Sequence, residues 1–212
     1  MQHVILKTFA VPPLGCNCSI LGDPESSEAI IVDPGGHPEQ LLAEVLRLGL
    51  TVVRILHTHA HFDHFLASGD IQKATGAPLC LHPHDEALWK MLDVQCRAFG
   101  VPYIPAPDPD CWLQDEETVS FGSVSAQALH TPGHTPGSLS FYIAGQQLLL
   151  SGDTLFRGGI GRTDLWGGDA RAIQSSIRER LFSLDPATRV IPGHGPATQI
   201  GLERESNPFV AG

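Results

Sequence analysis

His57-Thr58-His59-Ala60-His61-Phe62-Asp63-His64 holds four of the chain's eleven histidines. Imidazole is the commonest side-chain metal ligand, and a carboxylate set between imidazoles adds the anionic oxygen that a dication favours. The stretch just before, Leu50-Thr51-Val52-Val53-Arg54-Ile55-Leu56, is apolar and β-branched, as a buried strand requires. A His-x-His-x-Asp-His cluster where a core strand gives way to a loop is predicted to bind metal from a rigid scaffold. A solvated histidine-rich loop or a terminal tag would lack both the strand and the interleaved aspartate.

Three later segments repeat the sequence of strand, tight turn and one metal-ligating side chain. In Ala128-Leu129-His130-Thr131-Pro132-Gly133-His134-Thr135-Pro136-Gly137 the prolines and glycines fix the backbone, His134 is presented at the turn, and His130 caps the strand. Leu148-Leu149-Leu150-Ser151-Gly152-Asp153 is an apolar strand ending in a carboxylate. Val190-Ile191-Pro192-Gly193-His194-Gly195-Pro196 ends in a histidine. Any one of these is more often structural; their recurrence beside the cluster points to a single metal centre.

Around these segments the periodicity predicts strands over 3–8, 17–21, 28–33, 118–121, 124–130, 138–143, 147–151 and 188–191, with a buried strand at 78–81. Met1–Lys7 therefore reads as the start of a strand, not as a secretory signal, which would need a long apolar region and a small-residue cleavage site. A helix is expected from Pro38, with Leu41, Leu42, Val45, Leu46 and Leu48 as its apolar stripe and Gly49 as its stop. Further helices are expected near 68–75, 84–98 and 169–182 and at the C-terminus. Prolines 102, 105, 107 and 109 make 101–110 an irregular connection. At 212 residues one domain spanning 1–212 is expected.

The formal net charge of −10 disfavours nucleic acid, whose phosphates need clustered Lys and Arg. No apolar run approaches the roughly 20 residues that cross a bilayer. Five cysteines, with no C-x2-C spacing, exclude a complete disulfide framework; Cys16 and Cys18 are read as ordinary buried thiols. Reduced thiols and the missing signal lead to an expected cytoplasmic location.

These motifs resemble the metallo-β-lactamase superfamily, from Asp33 to His194. Asn17-Cys18-Ser19, Gly158-Gly159-Ile160-Gly161-Arg162-Thr163-Asp164 and Glu203-Arg204-Glu205-Ser206-Asn207-Pro208-Phe209 are similar to the short bacterial hydroxyacylglutathione hydrolases of glyoxalase II type. The resemblance implies an α/β fold, a four-layer αββα sandwich, with two divalent cations, zinc first and iron or manganese also fitting mixed N/O donors. It places His59, His61 and His134 on one cation and Asp63, His64 and His194 on the other, with Asp153 bridging and Asp33 supporting from behind. His37, His57, His82 and His84 match no ligand position. The implied partner is a small thioester, S-D-lactoylglutathione foremost, hydrolysed by a hydroxide shared between the cations with Asp63 accepting its proton.

Asn17 and Arg162 are the candidate substrate contacts. Arg162, in the glycine-rich loop 157–168, either faces substrate carboxylates or buttresses the metal loop. The 18 residues after His194 are too few for the helical domain with which larger glyoxalase II enzymes contact glutathione. The rival activities are a mononuclear-iron glutathione persulfide dioxygenase, which resembles Gly161–Asp164 but not Pro192–Gly195, and a lactonase or β-lactamase on the same metal chemistry. An RNA-processing nuclease is disfavoured by the acidic charge, and the flavin-linked oxygen reductases of this fold carry a glutamate where His61 stands.

Overall fold

Alternation along each strand sorts its side chains onto two faces, and both faces of both sheets are covered. The computed structural model describes residues 3–210, so Met1 and Gln2 of the first expected strand, and Ala211 and Gly212 of the expected 1–212 unit, lie outside the described residues. The first sheet takes β1 (Ile5–Val11), β2 (Cys16–Gly22), β3 (Glu28–Val32), β4 (Thr51–Leu56), β5 (Leu79–Leu81) and β6 (Cys111–Trp112) in that spatial order. Pairing is antiparallel from β1 to β3 and parallel from β3 to β6. Helices α1 (Pro38–Arg47), α2 (Ser68–Thr75), α3 (Glu86–Trp89) and α4 (Leu92–Ala98) supply Leu41, Ile71, Trp89 and Leu92 to the core on its outer face.

The second sheet runs β14 (Thr198–Gln199), β13 (Arg189–Pro192), β10 (Leu148–Gly152), β9 (Leu139–Ile143), β8 (Val124–His130) and β7 (Thr118–Phe121). β11 (Leu155–Phe156) and β12 (Gly159–Ile160) form a separate hairpin, and α5 (Ala170–Ser175) and α6 (Ile200–Ser206) cover the outer face. Ile30, Val32, Leu148 and Leu150 meet between the sheets, whereas Ala29 and Ile31 face the first helical layer and Leu149 the second. This period-2 division produces the αββα sandwich, and burial on both faces explains why the strands read as continuous apolar runs.

Several elements differ from the sequence reading. The first strand runs 5–11 instead of 3–8. The helix expected over 84–98 breaks into a 3-10 turn at Pro83–Asp85, α3 and α4. The break presents Leu88 O to the Gln95 side-chain amide, which donates to it at 2.9 Å. The helix expected over 169–182 is α5 followed by a π-helical stretch, Ser176–Leu181, in which Phe182 N reaches back to Ile177 O at 2.8 Å. Leu46, placed in the apolar stripe of α1, is 81% exposed, while Leu41 and Val45 are buried. Gly49 ends α1 as expected, at a φ of +67° that an L side chain resists. The two-residue strands β6, β11, β12 and β14 are too short for periodicity to show.

The cysteine reading is corrected. Parallel β5 and β6 set Cys80 opposite Cys111 with Cα atoms 4.7 Å apart, and the two form a disulfide. Cys16, Cys18 and Cys96 are free and buried. Burial pushes the Cys16 thiol up to about 12, which keeps it neutral. Cysteine usage therefore no longer favours a reducing compartment. Among the described residues no helix is long and apolar enough to cross a membrane.

Candidate metal centre

The segments singled out in the sequence follow the C-terminal ends of β3, β4, β8, β10 and β13 and converge at one edge of the two sheets. After β4 the chain enters a short 3-10 turn, Phe62–His64, that brings Asp63 and His64 onto the same side as His59 and His61. His61 Nδ1 lies 2.9 Å from His134 Nε2. His194 Nε2 lies 3.1 Å from Asp63 Oδ2 and 3.3 Å from His64 Nε2. Asp153 spans both groups, with Oδ1 3.6 Å from His64 Nε2 and Oδ2 3.5 Å from His134 Nε2 and 3.7 Å from His194 Nε2. Donors tetrahedrally placed around one dication stand about 3.4 Å apart. The observed spacings bracket that value.

Tautomers point the same way. Thr58 Oγ1 donates to Asp33 Oδ2 at 2.6 Å, so its lone pairs accept from His59 Nδ1 at 3.0 Å and leave the His59 Nε2 lone pair free. His64 Nδ1 donates to Asp33 Oδ2 at 3.0 Å, and His134 Nδ1 donates to Arg162 O at 2.7 Å. Each frees an Nε2 lone pair toward the centre. Among the described residues, four buried side-chain polar atoms lack a hydrogen-bond partner, and two of them, His59 Nε2 and Asp153 Oδ1, belong to the convergent donor set, which His61 joins through Nδ1. Buried polar atoms are rarely left unpaired, so the donor set fits a cation on chemistry as well as spacing.

Electrostatics agree. Burial, reinforced by the neighbouring imidazoles, holds His59 and His61 well below the ordinary histidine pKa, in their neutral metal-binding form. Burial would raise Asp63, but His64 and His194 outweigh it and hold the carboxyl at about 2. Burial would likewise lower His64, yet the carboxylates of Asp63, Asp33 and Asp153 raise it well above 6.5. The carboxylates thus call for positive charge at this spot, which a dication supplies.

The supports around the donors are only partly those expected. Asp33 is saturated by Thr58 N at 2.7 Å, the Thr58 hydroxyl and His64. Asp85, missed in the sequence, is fully buried; it accepts from Ala60 N at 2.9 Å, Thr135 Oγ1 at 2.8 Å and Gly137 N at 2.6 Å. It ties the His59–His61 loop to the His134 loop. Gln95, also missed, holds Phe62 N at 3.1 Å and Ala60 O at 3.0 Å. The signal that could have revealed Asp85 is the one used for Asp153, a carboxylate just beyond a buried strand. Gly193 is required by close approach: a Cβ there would stand 2.1 Å from Asp153 Oδ1.

Asn17 takes a different place from the one expected. Its side-chain amide donates to Pro192 O at 2.9 Å and Gly195 O at 2.8 Å, so both N–H groups clamp the His194 turn and neither is left for substrate. Arg162 supports the metal loop through its backbone, and its side chain stands apart from that role. Its carbonyl buttresses His134, and its guanidinium, paired with Asp164 at 2.7 and 2.8 Å, stands on the rim of a cavity of about 260 Å³. Phe62, Phe99, Leu165 and Trp166 give that cavity apolar walls, and His61, Asp63, His134, Asp153 and His194 form its polar floor. His57 is pinned in the core instead, between Cys80 O at 3.2 Å and Ser68 Oγ at 2.7 Å, and burial holds its pKa near 4.

A convergent His/Asp donor set at the edge of an αββα sandwich defines a metal-binding hydrolase fold. The metallo-beta-lactamase superfamily profile matches residues 11–194, and the chain belongs to that superfamily of metallo-hydrolases, whose members bind divalent metals. The hydroxyacylglutathione hydrolase GloC of Haemophilus influenzae is 40% identical over 196 residues, covering 92% of each chain. TTHA1623, solved in a di-iron-bound form, is similar in structure with a TM-score of 0.88 at 42% identity, over 96% of this chain and 99% of that one. The BLEG-1 B3 metallo-beta-lactamase matches with a TM-score of 0.88 at 38% identity, over 98% and 100%.

Proposed function

We propose that the centre holds two divalent cations and hydrolyses a thioester, S-D-lactoylglutathione foremost, to D-lactate and glutathione. The observation that carries this reading is the convergent donor set at the cavity floor: His59, His61 and His134 for one cation, Asp63, His64 and His194 for the other, and Asp153 shared. Zinc suits this mixed N/O set, and iron and manganese fit it as well. Bound cations of this kind act as Lewis acids and lower the pKa of water from 15.7 toward about 7. A mononuclear-iron dioxygenase, holding its metal with two histidines and one aspartate, would leave four of these seven donors without use.

The chain's own side chains do the rest. Asp63, on the cavity floor beside the centre, accepts the proton of the attacking water. The apolar walls exclude bulk water from the carbonyl, and Arg162 offers the one guanidinium on the rim for a substrate carboxylate once it leaves Asp164. Among the described residues, the cavity lining outside the donor set offers no side chain suited to protonating a leaving group. A thiolate, with a reference pKa near 8.5, departs without one. An amide nitrogen does not, which favours a thioester over the β-lactam that the likeness to BLEG-1 would bring; the likeness to GloC supports a glutathione thioester.

The test is elemental analysis of purified protein, with assays against S-D-lactoylglutathione, glutathione persulfide, a lactone and a cephalosporin before and after chelation. Chelator-sensitive thioesterase activity that Asp63→Ala largely abolishes is expected. Oxygen uptake with persulfide, or β-lactam turnover without thioester turnover, would replace the reading.

A further inference from the structure

We propose that His82, His84 and His130 form a second cation site, separate from the first, that takes a borderline divalent metal such as Zn²⁺, Ni²⁺ or Cu²⁺. His82 directly follows β5 of one sheet and His130 ends β8 of the other, so the trio bridges the sandwich. One ring nitrogen of each lies within 4.8 Å of the other two. The His82 and His130 rings stack at 4.2 Å and 10°, and His84 stands edge-on to them at 4.7 and 5.6 Å.

Three nitrogens bound at 2.0–2.1 Å to one cation stand about 3.4 Å apart in a tetrahedral array, so a pair at the 4.8 Å limit must close by about 1.4 Å, and one ring of the stacked pair must turn to bring its in-plane lone pair onto the cation. Exposed His84 is free to close toward the other two, and the turn falls to buried His82, because half-buried His130 is held by Pro136. His130 Nε2 donates to Pro136 O at 2.8 Å, which fixes its tautomer and leaves the Nδ1 lone pair available. His82 Nδ1 accepts only a long bond, 3.2 Å, from His84 N, and this is the contact a cation replaces. Among the described residues no carboxylate lies within 4.0 Å of any of these ring nitrogens, as the ion pairs of the chain show. An all-imidazole donor set selects zinc, nickel or copper over magnesium or calcium.

The position matters to the fold. Asp85 comes one residue after His84 and joins the His59–His61 and His134 loops, and Pro136 belongs to the second of those loops. A cation on the trio would fasten these segments from outside the catalytic cavity.

The experiment compares wild type with His84→Ala, each carrying whatever metal its purified form holds, by Ni²⁺ and Zn²⁺ calorimetric titration and elemental analysis. Wild type is expected to take up one cation per chain more than His84→Ala, at an unchanged melting temperature without added metal. Because the readout is the difference between the two proteins, loading of the His59/Asp63 centre cancels, and the result stands whether or not that centre is a thioesterase. Equal stoichiometry in both proteins, or an extra equivalent that survives in both His84→Ala and His130→Asn, overturns the site.

Discussion

Asp85→Asn is the sharpest probe of how the metal loops are held. In the wild type, Oδ2 accepts from Ala60 N and the Thr135 hydroxyl, and Oδ1 from Gly137 N, at 2.6 to 2.9 Å. Asparagine keeps one oxygen and turns the other into an NH2 that faces a donor. The less costly placement keeps the oxygen toward Ala60 and Thr135 and sets Gly137 N–H against the new amide. One charge-assisted bond is lost and one buried N–H is orphaned, about 2–4 kcal/mol together. Backbone movement cannot relieve this, because Gly137 is already so close that a Cβ would meet Asp85 Cγ at 2.7 Å. Burial raises the Asp85 pKa, so ionising the wild-type carboxyl offsets part of what its three donors contribute, and the lower half of that range is expected. Urea unfolding measures the stability, and competition with a chromophoric chelator measures metal affinity, which should fall about 10–100-fold. A variant within about 0.5 kcal/mol of wild type, with unchanged metal affinity, would refute the assignment of Asp85 as the strut between the two loops.

Gly193→Ala should displace Asp153, since its Cβ would stand 2.1 Å from Oδ1 and 2.9 Å from His64 Cε1; loss of bound metal is expected, with Gly145→Ala, in open space, as the neutral control. Asp23 joins the turn after β2 to the turn before β8 by accepting from Ser123 N at 2.9 Å and Ser26 Oγ at 2.9 Å. Backbone donation from Ser123 outweighs desolvation and holds its pKa at about 2 against an ordinary 3.8. Its contribution is thus fully present above pH 3.8 and lost as the pH falls toward 2. Acid unfolding of Asp23→Asn should be the shallower over that window, and parallel curves would discard the linkage. Cys111→Ser opens a loop of 31 residues and should lower stability in urea by about 2–4 kcal/mol; equal stability of the variant and wild type would show that the bridge is not closed in solution.

The metal donors could be read from the sequence because their chemistry is local. Four of the seven lie in His59–His64, and each of the others follows an apolar strand, with a glycine directly before it in all three cases. The layers followed from the same apolar runs. What holds the donors was largely hidden because its partners lie far along the chain. Asp85 meets Gly137 across 52 positions, Asn17 meets Gly195 across 178, and Cys80 meets Cys111 only because a two-residue strand returns beside β5. A strand-end carboxylate is therefore an ambiguous sign by itself, and the structure resolves it by counting donors. Asp33 and Asp85 are each saturated by three protein donors and so act on the backbone and on imidazoles. Asp153 keeps an unpaired buried oxygen, and Asp63 Oδ2 lies against the Nε2 atoms of His64 and His194, which belong to the same donor set. Carboxylates left unsatisfied in a site that otherwise pairs its polar groups are reserved for a charge that the polypeptide does not provide.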